Sequence, residues 1–308
     1  LGVILIILGM LFFSIQDSII KNIISNTSLV QIIVFRSIVG CLLLSTFLFY
    51  SKRSISIGSS YPLIALTRGI LFFFGFSLFY ISVSQIPLAE ATSLFFVSPF
   101  FMTIFSKLIL KNSIGLHRIF AILIGFSGTL LIIKPGYENF NLFMILPIIT
   151  ACTYSFSMVL AKKTSEKDSL FQQTFHIYVA SIIIGTSISL IFTWFLPVND
   201  NIFLNIFLKP WILNDINIIL LILIISVIGS LGIIFLISAY NIGSPIVNSP
   251  SEYVILIFAF LNGYIIFGEI PDFYSIIGMI LIIFSGIYIF LRESVKNELV
   301  ATKTTLRT

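Results

Sequence analysis

The chain has 308 residues, of which 58% are hydrophobic and only 9% charged, and its mean hydropathy is +1.14. A soluble domain carries about 25% charged residues and must still clothe a large surface that faces water, so a soluble fold of this length is excluded. The net charge of +5 is dispersed over short connecting segments, which argues against a nucleic-acid partner and reads instead as membrane topology.

A helix that crosses a bilayer needs about 20 apolar residues. Ten such spans are read in chain order, over residues 1–22, 29–50, 63–83, 90–110, 117–134, 142–160, 171–196, 216–240, 246–267 and 273–292. The apolar runs are continuous, as in LGVILIILGMLFF at 1–13, whereas a membrane β-barrel strand alternates polar and apolar residues. The first run reads as a retained helix and not as a cleaved signal, because Asp17 and Lys21 stand at its far end. Helix breakers fall between spans: Pro62, Pro87, Pro135-Gly136, Pro197, Gly243-Ser244-Pro245 and the run from Gly268 to Pro271. Tyr50, Tyr61, Tyr137 and Trp211 lie near span ends, where aromatic rings suit the interface. The longest connection, 197–215, carries Trp211 and is expected to lie on the membrane surface. The remaining connections are too short to hold a soluble catalytic domain.

The Lys/Arg distribution orients the chain. With the N-terminus in the cytoplasm, Lys52, Arg53, Lys107, Lys111, Arg118, Lys162, Lys163, Lys167, Arg292, Lys296, Lys303 and Arg307 face inward, and only Lys21, Lys134 and Lys209 face outward. That asymmetry places both termini in the cytoplasm.

The chain also repeats itself. IFAILIGFSGTLLII at 119–133 aligns with IGMILIIFSGIYIFL at 277–291, sharing Phe-Ser-Gly at 126–128 and 284–286. FYISVSQI at 79–86 aligns with FLISAYNI at 235–242. Five spans separate the equivalents, and five is odd, so the halves point opposite ways across the bilayer. Such inverted repeats are a common plan of secondary transporters, with the substrate near the midplane.

Several stretches resemble the drug/metabolite transporter superfamily, specifically its EamA-type permeases: VFRSIVG (34–40), LTRGILFFFGFSLFYISVSQIPLAEATSLFFVSPFF (66–101), GLHRIFAILIGFSGTLLIIKPG (115–136) and SPSEYVILIFAFLNGYIIFGEIPDFYSIIGMILIIFSG (249–286). The resemblance implies an all-α polytopic membrane protein of ten transmembrane helices in two inverted five-helix repeats, 1–136 and 137–292, followed by a cytoplasmic tail at 293–308. It implies a permease of a small organic metabolite in the bacterial inner membrane. Amino acids and amino-acid-derived compounds are the commonest guess within the family, and helices 3, 4, 8 and 9 would line the path. One departure is clear: Lys111-Asn112 stand where many members carry Gly-Glu after the fourth helix, while Gly268-Glu269 keep the second copy.

Charged side chains inside a bilayer are costly and point to function. Asp17 and Arg36 lie at similar depth near the outside, and Arg68 and Glu252 at similar depth near the inside. Two pairs are therefore expected, Asp17–Arg36 and Arg68–Glu252, each easing the other's burial. Local readings stand beside these. Arg36 and Arg68 are near enough to span ends to snorkel, Asp17 and Lys21 form an i,i+4 pair, and Glu90 can cap the fourth helix. Glu252 has no basic neighbour in its own helix, which makes it the candidate for coupling to protons.

Pro99 interrupts the fourth span, and Pro245 and Pro250 break the start of the ninth, its repeat equivalent. Breaks in corresponding helices point to a binding site, although a simple kink explains them as well. Ser98, Asn248, Ser249 and Tyr253 surround them, and Tyr154, Tyr178 and Tyr240 offer aromatic walls. The proposed path residues are thus Arg68, Ser98, Pro99, Tyr240, Asn248, Glu252 and Tyr253. His176 reads as a packed, hydrogen-bonded side chain, and Cys41 and Cys152 as buried apolar residues. No nucleotide-binding, metalloprotease, hydrolase or CxxC motif is present, so no cofactor or metal is expected. The partners expected are a small metabolite, protons as coupling ion, and membrane lipid. A membrane-embedded lipid-modifying enzyme and a non-transporting subunit of a membrane complex remain as rival readings.

Overall fold

A computed structural model describes residues 2–50, 58–111, 116–134, 141–195, 205–207, 209–242 and 251–304. Its helices are α1 (Gly2–Ile23), α2 (Leu29–Tyr50), α3 (Pro62–Val83), α4 (Leu88–Phe95), α5 (Ser98–Leu110), α6 (Leu116–Ile133), α7 (Ile145–Thr164), α8 (Leu170–Phe195), α9 (Ile216–Ile242), α10 (Val254–Phe267) and α11 (Phe273–Thr304). No strand occurs among the described residues. Seven helical stretches among them are long and apolar enough to cross a membrane, and shorter apolar helices cover Ile119–Ile133, Val254–Phe267 and Phe273–Tyr288. The protein is therefore an all-α polytopic membrane protein.

The predicted fourth span is two helices. Proline clashes with the carbonyl four residues earlier and cannot donate to it. Four residues before Pro99 is Phe95, where α4 stops. The chain passes through Phe96 and Val97 and restarts as α5, with Pro99 in its first turn. The predicted ninth span is helical from Val254, and Pro245, Asn248, Ser249 and Pro250 lie outside the described residues. The predicted tail after residue 292 continues α11 to Thr304.

Lipid-facing surfaces are apolar, with large side chains such as Phe49, Leu63 and Phe284 exposed. Hydroxyls inside the bundle turn back onto their own helices. Ser18, Ser37, Ser77, Thr92 and Ser226 each donate to the carbonyl four residues earlier, which satisfies them without water.

Glycines set the closest helix approaches, as in other membrane bundles. On α6 and α11, a Cβ at Gly128 would meet the Gly278 carbonyl oxygen at 2.6 Å, and Gly278 meets that of Gly128 as closely. On α1 and α9, Gly9 approaches the Gly232 carbonyl. The helix partners exchange when the first five spans are swapped for the last five. α1 packs on α9 as α7 packs on α3, α2 on α9 as α8 on α3, and α1 on α10 as α7 on α4 and α5. The pairs α6–α11, α2–α8 and α4–α10 map onto themselves.

One end of the bundle is closed by ion pairs. Lys21 Nζ lies 2.5 Å from Glu269 Oε1 and donates to the Ile86 carbonyl at 2.7 Å. The other carboxylate oxygen, Oε2, accepts from Leu88 N at 2.9 Å and so caps α4. The cap comes from Glu269, where the sequence suggests Glu90, and Lys21 pairs with Glu269, where its spacing suggests Asp17. The buried Glu90 instead faces Ser275. Gly268 makes the geometry possible: it ends α10 at φ +66°, turning Glu269 back over α4. In the first half Lys111 adopts the same left-handed conformation at φ 58°, which is less favourable for a residue with a Cβ. Lys134 pairs with Asp272 at this end, and Lys209 donates to the Ser25 carbonyl.

Residues 209–212 are fastened to the start of α2. Gln31 of α2 donates to the Ile212 carbonyl and accepts from its N–H, and Trp211 packs edge-on against Phe35 at 5.8 Å. One buried glutamine thus fixes this connection to the bundle through two hydrogen bonds.

Glu269→Gln leaves Lys21 unpaired in a partly buried position, so it is expected to cost about 2–4 kcal/mol. Thermal unfolding in detergent checks this, and Lys21→Met in the same chain should recover part of the loss. Gly278→Val must push α11 off α6 and should abolish a monodisperse folded species in size-exclusion chromatography.

Candidate functional site

Aromatic rings fill the bundle around the α4–α5 break. Phe95 stacks obliquely on Tyr154 at 5.2 Å, Phe76 and Phe79 pack on Phe95, and Phe96 meets Tyr253 at 4.7 Å. Tyr253 is 8% exposed and its ring lies over Gly286, the glycine of the second Phe-Ser-Gly. Phe100 covers Gly125 in the same way. Each glycine is bare on the side an aromatic ring occupies. The Ser98 carbonyl, in the first turn of α5, accepts from Ser155 Oγ of α7 at 2.7 Å. Pro99 therefore shapes the wall by ending α4, and its own carbonyl is taken by Thr103.

A polar cluster adjoins the aromatic centre toward the Lys21–Glu269 end. Tyr80 Oη donates to Asp17 Oδ1 at 3.1 Å and accepts from Arg36 Nη1 at 3.0 Å. Gln16 Nε2 donates to Tyr80 Oη at 2.9 Å and to Asp17 Oδ1 at 3.3 Å. Asp17 and Arg36 thus belong to one cluster, as their depths suggest, but the hydroxyl of Tyr80 stands between them. A hydroxyl both donates and accepts, so it links an acid to a base without direct contact. Arg36 Nε and Gln16 Oε1 are buried without hydrogen-bond partners. Both face the bare backbone of Gly229 on α9, where a Cβ would come within 3.3 Å of Arg36 Nε and collide with Gln16. The unused donor and acceptor thus lie side by side against the backbone of α9.

A second arrangement lies toward the other end. Arg68 is only 5% exposed, so it does not snorkel. Its Nε donates to the carbonyl and Oγ of Ser157 at 3.1 and 3.2 Å, and its Nη1 to Gln173 Oε1 at 2.5 Å. Tyr154 lies within electrostatic reach of both Arg68 and Glu252. The expected Arg68–Glu252 pair is thus replaced around Arg68 by neutral acceptors, with Tyr154 on the side of Glu252. A tyrosine stands beside the acid and base in each cluster. Asn248 and the side chain of Tyr240 lie outside the described residues.

Sequence reasoning missed Tyr80, Gln16, Ser157 and Gln173. Tyr80 carried a signal, since it lies in the repeated FYISVSQI stretch at the depth of Asp17. The others are short-range polar residues of ordinary composition. Among the described residues no group of His, Cys, Asp and Glu is arranged to hold a metal.

The model of the EamA-like transporter family matches residues 1–134 and again 141–292. The pseudopaline exporter CntI of Pseudomonas aeruginosa is 24% identical, covering 92% of this chain and 93% of its own. The S-adenosylmethionine uptake transporter of Rickettsia prowazekii is 23% identical over 95% and 93% of the two chains. A riboflavin transporter of Vibrio cholerae is 26% identical over 69% and 66%. A solved crystal structure, 13% identical, superposes with a TM-score of 0.61 over 93% of this chain and 95% of that one, a likeness of fold alone.

Tyr80→Phe removes the group that joins Asp17 to Arg36 and leaves buried polar partners unsatisfied. It is expected to cost about 1–3 kcal/mol, read as a lower unfolding midpoint in detergent. Phe79→Leu, one residue earlier, keeps the cluster and serves as the packing control.

Proposed function

The chain belongs to the EamA-like transporter family, and on that premise we propose that its cargo is an amino acid or an amino-acid-derived compound. The protein is an integral inner-membrane transporter of a small metabolite, and its relatives are named as transporters, not enzymes. The proposal adds a cargo and a mechanism.

The observation that carries the cargo is the Asp17–Tyr80–Arg36 cluster at the edge of the aromatic centre. An amino-acid group presents a carboxylate and an ammonium a few ångströms apart. Arg36, with an unused Nε–H, suits the carboxylate. Gln16 Oε1, unused and beside Asp17, suits the ammonium. The rings of Phe76, Phe95, Phe96 and Tyr154 suit the rest of an amphipathic metabolite. S-adenosylmethionine, the cargo named for the Rickettsia relative, contains such a group.

In this reading, ten spans form two inverted halves, 1–136 and 137–292, with both termini in the cytoplasm. The exchange of helix partners between halves supports the two-halves reading, and the charge asymmetry supports the orientation. The halves rock about the aromatic centre and expose it alternately to each side. Arg68, Ser98, Pro99, Glu252 and Tyr253, with Tyr240 and Asn248, line the path toward the cytoplasm. Glu252 carries the coupling proton.

A thermal-shift screen in detergent against amino acids, S-adenosyl compounds, riboflavin, nucleosides and polyamines tests the cargo. A ligand at 100 times its dissociation constant adds about 2.7 kcal/mol of apparent stability. The expected hit is an amino-acid-bearing compound whose stabilisation is lost in Arg36→Lys. A hit confined to riboflavin or polyamines overturns the cargo. In liposomes, Glu252→Gln should fold and bind but no longer respond to a pH gradient; an unchanged gradient response overturns its coupling role.

A further inference from the structure

A cavity lies apart from the aromatic centre. It opens between α3, α7 and α8, at the bundle end that carries residues 58–61 and 165–169, and its walls include Ser59, Arg68, Thr164, Asp168, Gln173 and His176.

Most of these groups are already occupied. Gln173 accepts from Arg68 and donates to the Asp168 and Ala161 carbonyls. Thr164 Oγ1 turns back to the Leu160 carbonyl. Asp168 accepts from Ser59 Oγ at 2.5 Å and from Ser60 N at 3.2 Å. Burial pushes the Asp168 carboxyl up, but these hydrogen bonds, together with the nearby His176, outweigh it and hold the group below the ordinary carboxylate value. Its hydrogen bonds come from Ser59 and Ser60, and its charge also reaches His176 on the same wall.

His176 is different. It is 9% exposed, and neither ring nitrogen has a hydrogen-bond partner. The sequence suggests a packed and hydrogen-bonded histidine, and the structure does not supply the hydrogen bonds. Buried polar groups are seldom left bare. Arg68, on the same wall, donates hydrogen bonds only to neutral acceptors and keeps further N–H hydrogens on its guanidinium. A fixed cation and a bare imidazole therefore share one small cavity, and both offer donors.

We propose that this cavity is a second ligand site, which takes a carboxylate or phosphate group between Arg68 and His176. The anion accepts from the guanidinium and from one imidazole N–H. Asp168 on the same wall opposes the anion, because its charge reaches His176 even though its hydrogen bonds are taken up with Ser59 and Ser60. The source is either a soluble metabolite or the headgroup of an anionic lipid, since the chemistry is the same. The site does not depend on the cargo proposed above, because binding is read on His176 and not on transport.

The sequence makes the test direct. His117 and His176 are the only histidines, and His117 stands exposed on α6, outside the cavity wall. The whole chain, labelled with 15N-histidine, is titrated in detergent with acetate and with inorganic phosphate, at constant ionic strength set by chloride. The expected result is a saturable shift of the His176 resonance alone, with His176→Gln supplying the assignment. Arg68→Lys should weaken binding about tenfold or more, because the planar fork is lost; should that variant not fold, the wild-type titration decides by itself. A shift that appears only in nanodiscs containing phosphatidylglycerol, and not in all-phosphatidylcholine ones, also supports the site and assigns it to a lipid headgroup. Equal movement of both histidines, or no saturable shift with any probe, overturns the proposal and leaves a cavity that holds only water.

Discussion

Lipid neither donates nor accepts hydrogen bonds, so each polar group within this bundle depends on a partner from the chain itself. That single constraint organises the interior. Serine and threonine hydroxyls fold back on their own helices. Arg68 gathers Ser157 and Gln173 from two neighbouring helices. Tyr80 holds an acid, a base and an amide through one oxygen. Among the polar atoms left bare, those of Gln16 and Arg36 press on the backbone of Gly229, and those of His176 border a cavity.

The same constraint governs how the helices meet. Apolar helices gain little from one another in a medium as apolar as themselves, so close backbone approach must hold them. Gly128 and Gly278 bring α6 and α11 into backbone contact, and Gly125 and Gly286 receive the rings of Phe100 and Tyr253. At one end Lys21–Glu269 and Lys134–Asp272 join early and late segments of the chain by ion pairs. At the other end the join is Ser59 and Ser60 with Asp168, a carboxylate held by neutral donors.

Much of this was legible in the chain. Span boundaries followed from runs of apolar residues, because their length is set by the bilayer and not by any partner. The break at Pro99 followed from the missing N–H and the clash four residues back. Asp17 and Arg36 were recognised as neighbours from depth alone, since a helix rises evenly along its sequence. The rest was not legible. Depth does not give the rotation of a helix, and rotation decides that Tyr80 stands between them. Lys21 had a carboxylate one turn away and took another 248 residues further on, because Gly268 turns Glu269 back across the bundle. Trp211 had every mark of an interfacial residue, yet Gln31 holds its segment against α2.

The sequence by itself determined that this is a membrane protein, where most of its helices run, which charges fall inside its spans and that its two halves echo each other. Those properties depend on composition and period, which the bilayer reads one segment at a time. Only the tertiary structure decided which polar groups meet: Tyr80 between Asp17 and Arg36, Glu269 over α4, and His176 beside Arg68 with both nitrogens bare. Hydrogen bonds act over about 3 Å, and contacts that short are set by how helices rotate and cross, which no single segment encodes.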